Sequence, residues 1–263
     1  MFEGRTSHAS QGNPVTPLAF REPGATTFSH ARLTAGIFDV DGVLLASPHE
    51  QAWREALKGF ANPDLFTTAM YQAHVAGMPR LDGARAALEA LGVPDARQQA
   101  APYAEKKQKR LEELIHAGSV KAFPDALRLV EAVAALGWPM AVASSSKNAN
   151  QMMRPIRLES GRNLLDVFGV NVCGRDLRHG KPDPEIFLLA ASELRVAPEN
   201  CFVAEDASAG IEAAHAGHMT GLGVARLGDT AALWAAGANI VVTSLDEIAV
   251  DALVDGRLCR RAI

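Results

Sequence analysis

From residue 34 onward the chain alternates short apolar runs with longer stretches whose apolar residues recur at three- and four-residue spacing. The runs are AGIF (35–38), PMAVASS (139–145), VFGVNVCG (167–174), NCFVAED (200–206), TGLGVA (220–225) and NIVVT (239–243), with PDALRLVEAVAALG and DPEIFLLAASELRV typical of the stretches between them. Strands that alternate with helices predict an α/β fold with a doubly wound parallel sheet. One interval breaks the rhythm. Residues 47–120 contain no convincing strand and read as four helices, 49–60, 64–75, 80–91 and 95–117, separated by NPD, GMPR and GVPD. A helical insertion directly after the first strand is therefore expected, with residues 34–46 and 121–263 forming the core domain and 47–120 a second, smaller one. Residues 1–33 lack an apolar h-region and are rich in Gly, Pro, Ser and Thr, so they are expected to be a poorly ordered lead-in and not a secretory signal.

Composition removes several classes of function. A length of 263 residues, 48% of them hydrophobic, supports one substantial core plus a smaller module. The net charge of −4, from 26 basic and 30 acidic residues, leaves no electrostatic footprint for nucleic acid. Cys173, Cys201 and Cys259 are odd in number and far apart, with no CxxC, which argues against a disulfide frame and a zinc site and suits a reducing, cytoplasmic setting. No apolar run approaches the length of a membrane span.

In open parallel sheets, ligands collect at the carboxyl ends of the strands, so what those ends carry decides the chemistry. The first run ends in DVD, the second in SSSKN and the fourth in AED, while a later loop holds GKPDPE. Asp39 and Asp41 would share one face in mid-strand, where a buried like-charged pair is costly. At a strand end the pair can sit at the sheet rim with a cation or phosphate to hold it. Carboxylates, hydroxyls and a lysine are thus expected along one edge.

DVDGV, SSSKN, KPDPEIF and EDASAGIEA, in this order and spacing, resemble the haloacid dehalogenase (HAD) superfamily of phosphotransfer enzymes, over about residues 34 to 245. The resemblance implies a Rossmann-like core, a helical cap inserted after the first motif, and an aspartyl-phosphate intermediate assisted by Mg2+. It makes Asp39 the nucleophile and Asp41 the general acid and base, with Gly42 turning the chain beside the phosphate. The implied metal ligands are Asp39, the backbone carbonyl of Asp41, and Asp206, supported by Glu205, while Ser144 and Lys181 bind the transferring phosphoryl group. Asp41 sets the chain apart from the dehalogenases, whose chemistry needs no leaving-group proton.

HEQAW (49–53), AGMPR (76–80) and AEKKQK (104–109), together with SSSKN, are similar to segments of the β-phosphoglucomutases. By that similarity His49 contacts the region of the catalytic aspartate, Trp53 packs in the cap near the sugar, and Gly77 and Arg80 form a substrate loop in which Arg80 binds the non-transferring phosphate. Lys107 contacts sugar hydroxyls, with Lys106 an equally possible match, and Ser146, Lys147 and Asn148 complete a distal phosphate site. The sequence departs from the pattern in a shortened segment between Asp41 and His49, in LASP, in a long IRLESGRNLLDVFGV, and in Ala207 where serine or threonine is frequent. GLGVARLGD carries no dinucleotide fingerprint and reads as a turn. The expectation is a monomeric, Mg2+-dependent β-phosphoglucomutase acting on a small sugar phosphate or bisphosphate, with no nucleic-acid or membrane partner. The alternative is a phosphatase of the same superfamily. A phospho-accepting receiver module has no cap and is about half as long, and so fits poorly.

Overall fold

The computed structural model describes residues 32–262; most of the expected N-terminal lead-in lies outside them. A six-stranded sheet holds strands β1 (Ala35–Phe38), β4 (Met140–Val142), β5 (Val170–Asn171), β6 (Cys201–Glu205), β7 (Thr220–Val224) and β8 (Ile240–Val242). A second, two-stranded sheet pairs β2 (Leu45–Ala46) with β3 (Lys121–Ala122). The large sheet runs β5-β4-β1-β6-β7-β8 with every pair parallel. The chain winds outward from β1 through β4 to β5, then crosses to β6 on the other side. β1 therefore stands where the winding reverses, the place at which such sheets open a crevice.

Burial on both faces explains why these strands read as continuous apolar runs. Phe38, Met140, Val142, Phe202 and Ala204 enter one apolar cluster, while Ala35, Ile37, Ala141, Cys201 and Val203 enter the cluster on the opposite face. The period is two along each strand. The helices α5 (Pro124–Ala135), α6 (Ala149–Met153) and α10 (Val250–Val254) contribute to the first cluster, α7 (Glu185–Leu194) and α8 (Ser208–Ala216) to the second, and α9 (Thr230–Ala235) packs beside β7 and β8. Cys173, Cys201 and Cys259 are unpaired. Among the described residues no helix is long and apolar enough to cross a membrane.

Between β2 and β3 lie α1 (His49–Ala56), α2 (Thr68–His74), α3 (Arg80–Ala90) and α4 (Ala96–His116), packed around their own apolar cluster that includes Trp53, Phe66, Leu88 and Tyr103. The Tyr103 hydroxyl donates to the Trp53 carbonyl at 2.9 Å, so burying this ring leaves no polar atom unpaired. The ends of these helices differ from the periodicity for local reasons. α1 stops at Ala56, where the chain tightens into three-residue turns and Gly59 takes φ of +96°. Asn62 caps a single 3-10 turn, Pro63–Leu65, and the Thr67 hydroxyl then caps α2 by accepting from the Met70 amide. Of the run 167–174 only Val170–Asn171 is strand, because Leu164–Val167 is wound into a 3-10 turn.

The β2–β3 ladder was not anticipated. It joins the two linkers of the insertion, with Leu45 opposite Ala122 and Ala46 opposite Lys121. Two-residue strands carry no periodicity that a sequence window can detect.

Candidate active site

Four groups meet at the carboxyl edge of the sheet because β1, β4 and β6 are neighbours. Asp39 follows the last residue of β1 and is 5% exposed, Ser144 lies two residues past β4, and Glu205 closes β6 with Asp206 next. Lys181 arrives from the loop before α7. Its ammonium donates to Asp39 Oδ1 at 2.7 Å and to Glu205 Oε1, and sits 4.8 Å from the centre of the Phe187 ring. Burial opposes the charge on Lys181, but Asp39 and Glu205 outweigh it and hold its pKa above the usual lysine range. The other Glu205 oxygen accepts from the Ala207 amide at 3.1 Å. A Cβ on Gly210 would stand 2.0 Å from the Glu205 carboxyl, so α8 can pack here only with glycine at that position.

Asp39, Glu205 and Asp206 each offer a carboxylate oxygen, all within 4.8 Å of one another. Burial raises Asp39 above the ordinary carboxylate range; Lys181 opposes that shift, and the charges of Glu205 and Asp41 add to it. Burial does the same to Asp206, reinforced by Glu205, Asp39 and Asp41. One ammonium thus faces several carboxylates, and a hard cation on oxygen donors is the group that relieves such crowding. Gly42, at φ +74°, brings the turn against this cluster: a Cβ there would lie 1.8 Å from Asp206 Oδ2. The residues present fit a divalent cation.

The insertion supplies the opposite wall of the cleft. His49 Nδ1 shares a hydrogen bond with the Ser47 hydroxyl at 2.9 Å and lies 3.5 Å from Asp41 Oδ1, which is buried and has no hydrogen-bond partner among the described residues. His49 Nε2 reaches the Ser146 hydroxyl at 3.2 Å, bridging insertion and sheet edge. Burial pulls the His49 pKa down to about 4, more than Asp41 raises it, so the imidazole is neutral at physiological pH. Lys107 is 3% exposed, with its ammonium 4.7 Å from the centre of the Trp53 ring. Burial brings its pKa down to about 7, against the pull of Asp41 and with the help of Arg80. Of the two lysines the sequence left open, Lys107 lines the cleft, while Lys106 turns outward to the Lys58 carbonyl.

Gly77 and its loop press onto the core. The Ser145 hydroxyl donates to the Gly77 carbonyl at 3.2 Å, and a Cβ on Gly180 would lie 2.0 Å from Pro79. Asp39, Asp41, His49, Trp53, Gly77, Arg80, Lys107, Ser144, Ser146, Lys147 and Asp206 all line one cleft. Lys181 and Glu205 lie behind Asp39. Lys147 pairs with Asp176 at 2.7 Å on the exposed rim, and the Asn148 amide exchanges hydrogen bonds with Gln108 beside the lining. Tyr71, Gln108, Ser145, Arg175 and His179 also line the cleft and were not singled out from the sequence. Ser145 lies inside the quoted SSSKN and Gln108 inside AEKKQK, so both were within reach; Tyr71, Arg175 and His179 carry no local signal, because only the fold of the insertion and of the loop before α7 brings them here.

A protein-family model described as haloacid dehalogenase-like hydrolase matches residues 34–218. A phosphorylated carbohydrates phosphatase of Thermotoga maritima is 31% identical over 214 residues, which span 80% of this chain and 94% of that protein. A β-phosphoglucomutase of Mycobacterium bovis is 32% identical over 242 residues, spanning 82% of this chain and 92% of its own. Among solved structures, an archaeal β-phosphoglucomutase from Pyrococcus sp. strain ST 04 superposes with a TM-score of 0.65 at 31% identity, covering 84% of this chain and 97% of that one.

Proposed function

The chain belongs to the haloacid dehalogenase-like hydrolases, in the branch with the β-phosphoglucomutases, and from that premise we propose that it is a Mg2+-dependent β-phosphoglucomutase, interconverting β-glucose 1-phosphate and glucose 6-phosphate. The family makes it a phosphoryl-transfer enzyme, mutase or phosphatase; the sugar and the preference for a sugar acceptor are the proposal. The observation that carries it is a cleft whose lining combines carboxylates with basic side chains. Asp39, Asp41 and Asp206 line it, and Arg80, Lys147 and Arg175 contribute cations from both the insertion and the loops of the core, with Lys107 beside them. A substrate with a phosphate to transfer and a second phosphate to hold has a use for both. A monophosphate hydrolase needs only the first.

Asp39 attacks phosphorus through a carboxylate oxygen; a P–O bond forms to Asp39 as the bond to the leaving sugar oxygen breaks. Asp41 gives its proton to that oxygen, and later takes one from the sugar hydroxyl that removes the phosphoryl group. Lys181 fixes the nucleophile by its hydrogen bond to Oδ1, and Ser144 stands at the edge to donate to phosphoryl oxygens. Asp39, Asp206 and the Asp41 carbonyl, supported by Glu205, would hold the magnesium, which when bound draws phosphate and nucleophile together and offsets their repulsion. The neutral His49, hydrogen-bonded to Ser146 and next to Asp41, ties the insertion to the acid–base residue. An insertion acting as a cap over the cleft would keep water from the phosphorylated aspartate until a sugar hydroxyl arrives.

Hydrolysis is the second reading, and the 31% identity to the Thermotoga maritima carbohydrate phosphatase favours it. Arg80 separates the two. Its fork suits a non-transferring phosphate, so Arg80→Ala is expected to lower kcat/KM for glucose 1,6-bisphosphate about 10- to 100-fold, the worth of a charge-assisted pair. Hydrolysis of a small aryl phosphate, which carries no second phosphate, should change less than about threefold. An equal loss on both substrates would remove Arg80 from the distal site.

A further inference from the structure

GLGVARLGD, read from the sequence as a turn, holds Arg226, whose side chain donates two hydrogen bonds to the loop after Asp41. Arg226 Nε donates to the Gly42 carbonyl at 2.8 Å, and one terminal nitrogen donates to the Val43 carbonyl at 3.1 Å. The two terminal nitrogens also hold Asp125 at 3.0 and 3.2 Å, and the guanidinium lies 3.7 Å from the centre of the Phe123 ring. Asp125 Oδ2 in turn accepts from the Ser244 hydroxyl at 2.9 Å and the Leu245 amide at 2.8 Å. The Arg226 side chain is 13% exposed and that of Asp125 is 9% exposed.

We propose that Arg226 is a positioning residue for the reacting end of the cleft: by holding the Gly42 and Val43 carbonyls it fixes the turn that carries Asp41 and presses Gly42 against Asp206. Three observations make this more than a structural tie. Both carbonyls belong to the turn directly after Asp41, with Gly42 lying so close to Asp206 that a Cβ would meet Oδ2 at 1.8 Å. A shift of the turn therefore moves an acid–base residue and a carboxylate of the cation cluster together. The same guanidinium stacks on Phe123, whose amide donates to the Leu44 carbonyl at 3.0 Å, at the point where the second linker of the insertion re-enters the core. One side chain thus registers the first linker, the second linker and the loops after β7 and β8. The planar fork makes four hydrogen bonds here, to the two carbonyls and to both oxygens of Asp125; an ammonium at this position keeps the charge opposite Asp125 but has three donors and no fixed fork.

The inference rests on Asp39, Asp41 and Asp206 forming the reacting end, and its test separates the two ideas. Arg226→Lys should lower kcat on a sugar phosphate at least tenfold with KM within about threefold, the split expected when a group is misplaced and binding is kept. It should also weaken Mn2+ binding to the substrate-free protein several-fold, read from the electron paramagnetic resonance of free Mn2+. Leu253→Ala, a cavity in the core at α10, serves as the control for lost stability; it should lower Tm without changing kcat or Mn2+ affinity at temperatures where the variant is folded. If Arg226→Lys lowers Tm but leaves both kcat and Mn2+ affinity intact, Arg226 is a structural tie and the proposal is wrong. Should the wild type turn over no phosphate ester, the functional reading fails, while the Mn2+ comparison still decides the role of Arg226.

Discussion

Asp39→Asn is expected to reduce turnover of every phosphate ester by at least about 10³-fold, on the order of 4 kcal/mol in the barrier, because an amide is a poor nucleophile toward phosphorus. The fold should tolerate the change. Asp39 is buried beside Glu205 and Asp206, and Lys181 keeps Glu205 as a partner, so a neutral amide removes charge from a crowded anionic cluster. Thermal unfolding without added metal should show a Tm no lower than wild type, while the stabilisation gained from added Mg2+ should shrink, since one of the candidate ligands is gone. Loss of activity with an intact fold is what separates a nucleophile from a structural carboxylate. Retained activity on any phosphate ester would remove Asp39 from that role.

Asp41→Asn should show a different signature, one that depends on the leaving group. For a sugar phosphate, whose alkoxide leaves poorly without a proton, the loss is expected to be about 10²- to 10⁴-fold, the usual worth of general acid–base catalysis. A nitrophenyl phosphate leaves without help, so its first step should survive. The second step still needs a base, and the variant should therefore release one burst of nitrophenol and then stall as a phosphorylated protein, detectable by intact mass. Asp41 lines the cleft, with His49 Nδ1 3.5 Å from its Oδ1, so its carboxyl stands where a substrate oxygen can meet it. Equal losses on both esters, with no accumulated phosphoprotein, would mean that Asp41 supports the site without transferring the proton.

The alternation of strands and helices was legible because a parallel sheet buries both faces and its strands must be apolar throughout, as Ile37 and Phe38 illustrate by facing opposite clusters. The carboxyl-edge groups were legible for a related reason. Asp39, Ser144 and Asp206 each stand within two residues of a strand end, so locating the strand locates the side chain. The insertion was visible as a stretch without strands, and the similarity of HEQAW, AGMPR and AEKKQK named His49, Trp53, Gly77, Arg80 and Lys107, which line the cleft. Tyr71 lies on a helix outside those segments, and neither spacing nor charge marks it as a lining residue. The β2–β3 pairing was hidden because each strand has two residues, and Arg226 because its partners are two backbone carbonyls some 184 and 183 positions away. Side chains that act through distant backbone leave no local pattern. Gly42, by contrast, was marked for turning the chain, and the structure adds the second reason that Asp206 leaves no room for a Cβ.

The central claim is transfer of a phosphoryl group to a sugar instead of to water, and phosphorus NMR tests it most directly. The purified protein is given Mg2+, β-glucose 1-phosphate and a trace of glucose 1,6-bisphosphate, and the phosphorus signals are followed to equilibrium. Growth of the glucose 6-phosphate resonance with little inorganic phosphate is the result expected of a mutase whose cleft holds two phosphates. Inorganic phosphate as the main product would contradict the claim and make the protein a phosphatase with a mutase-like cleft.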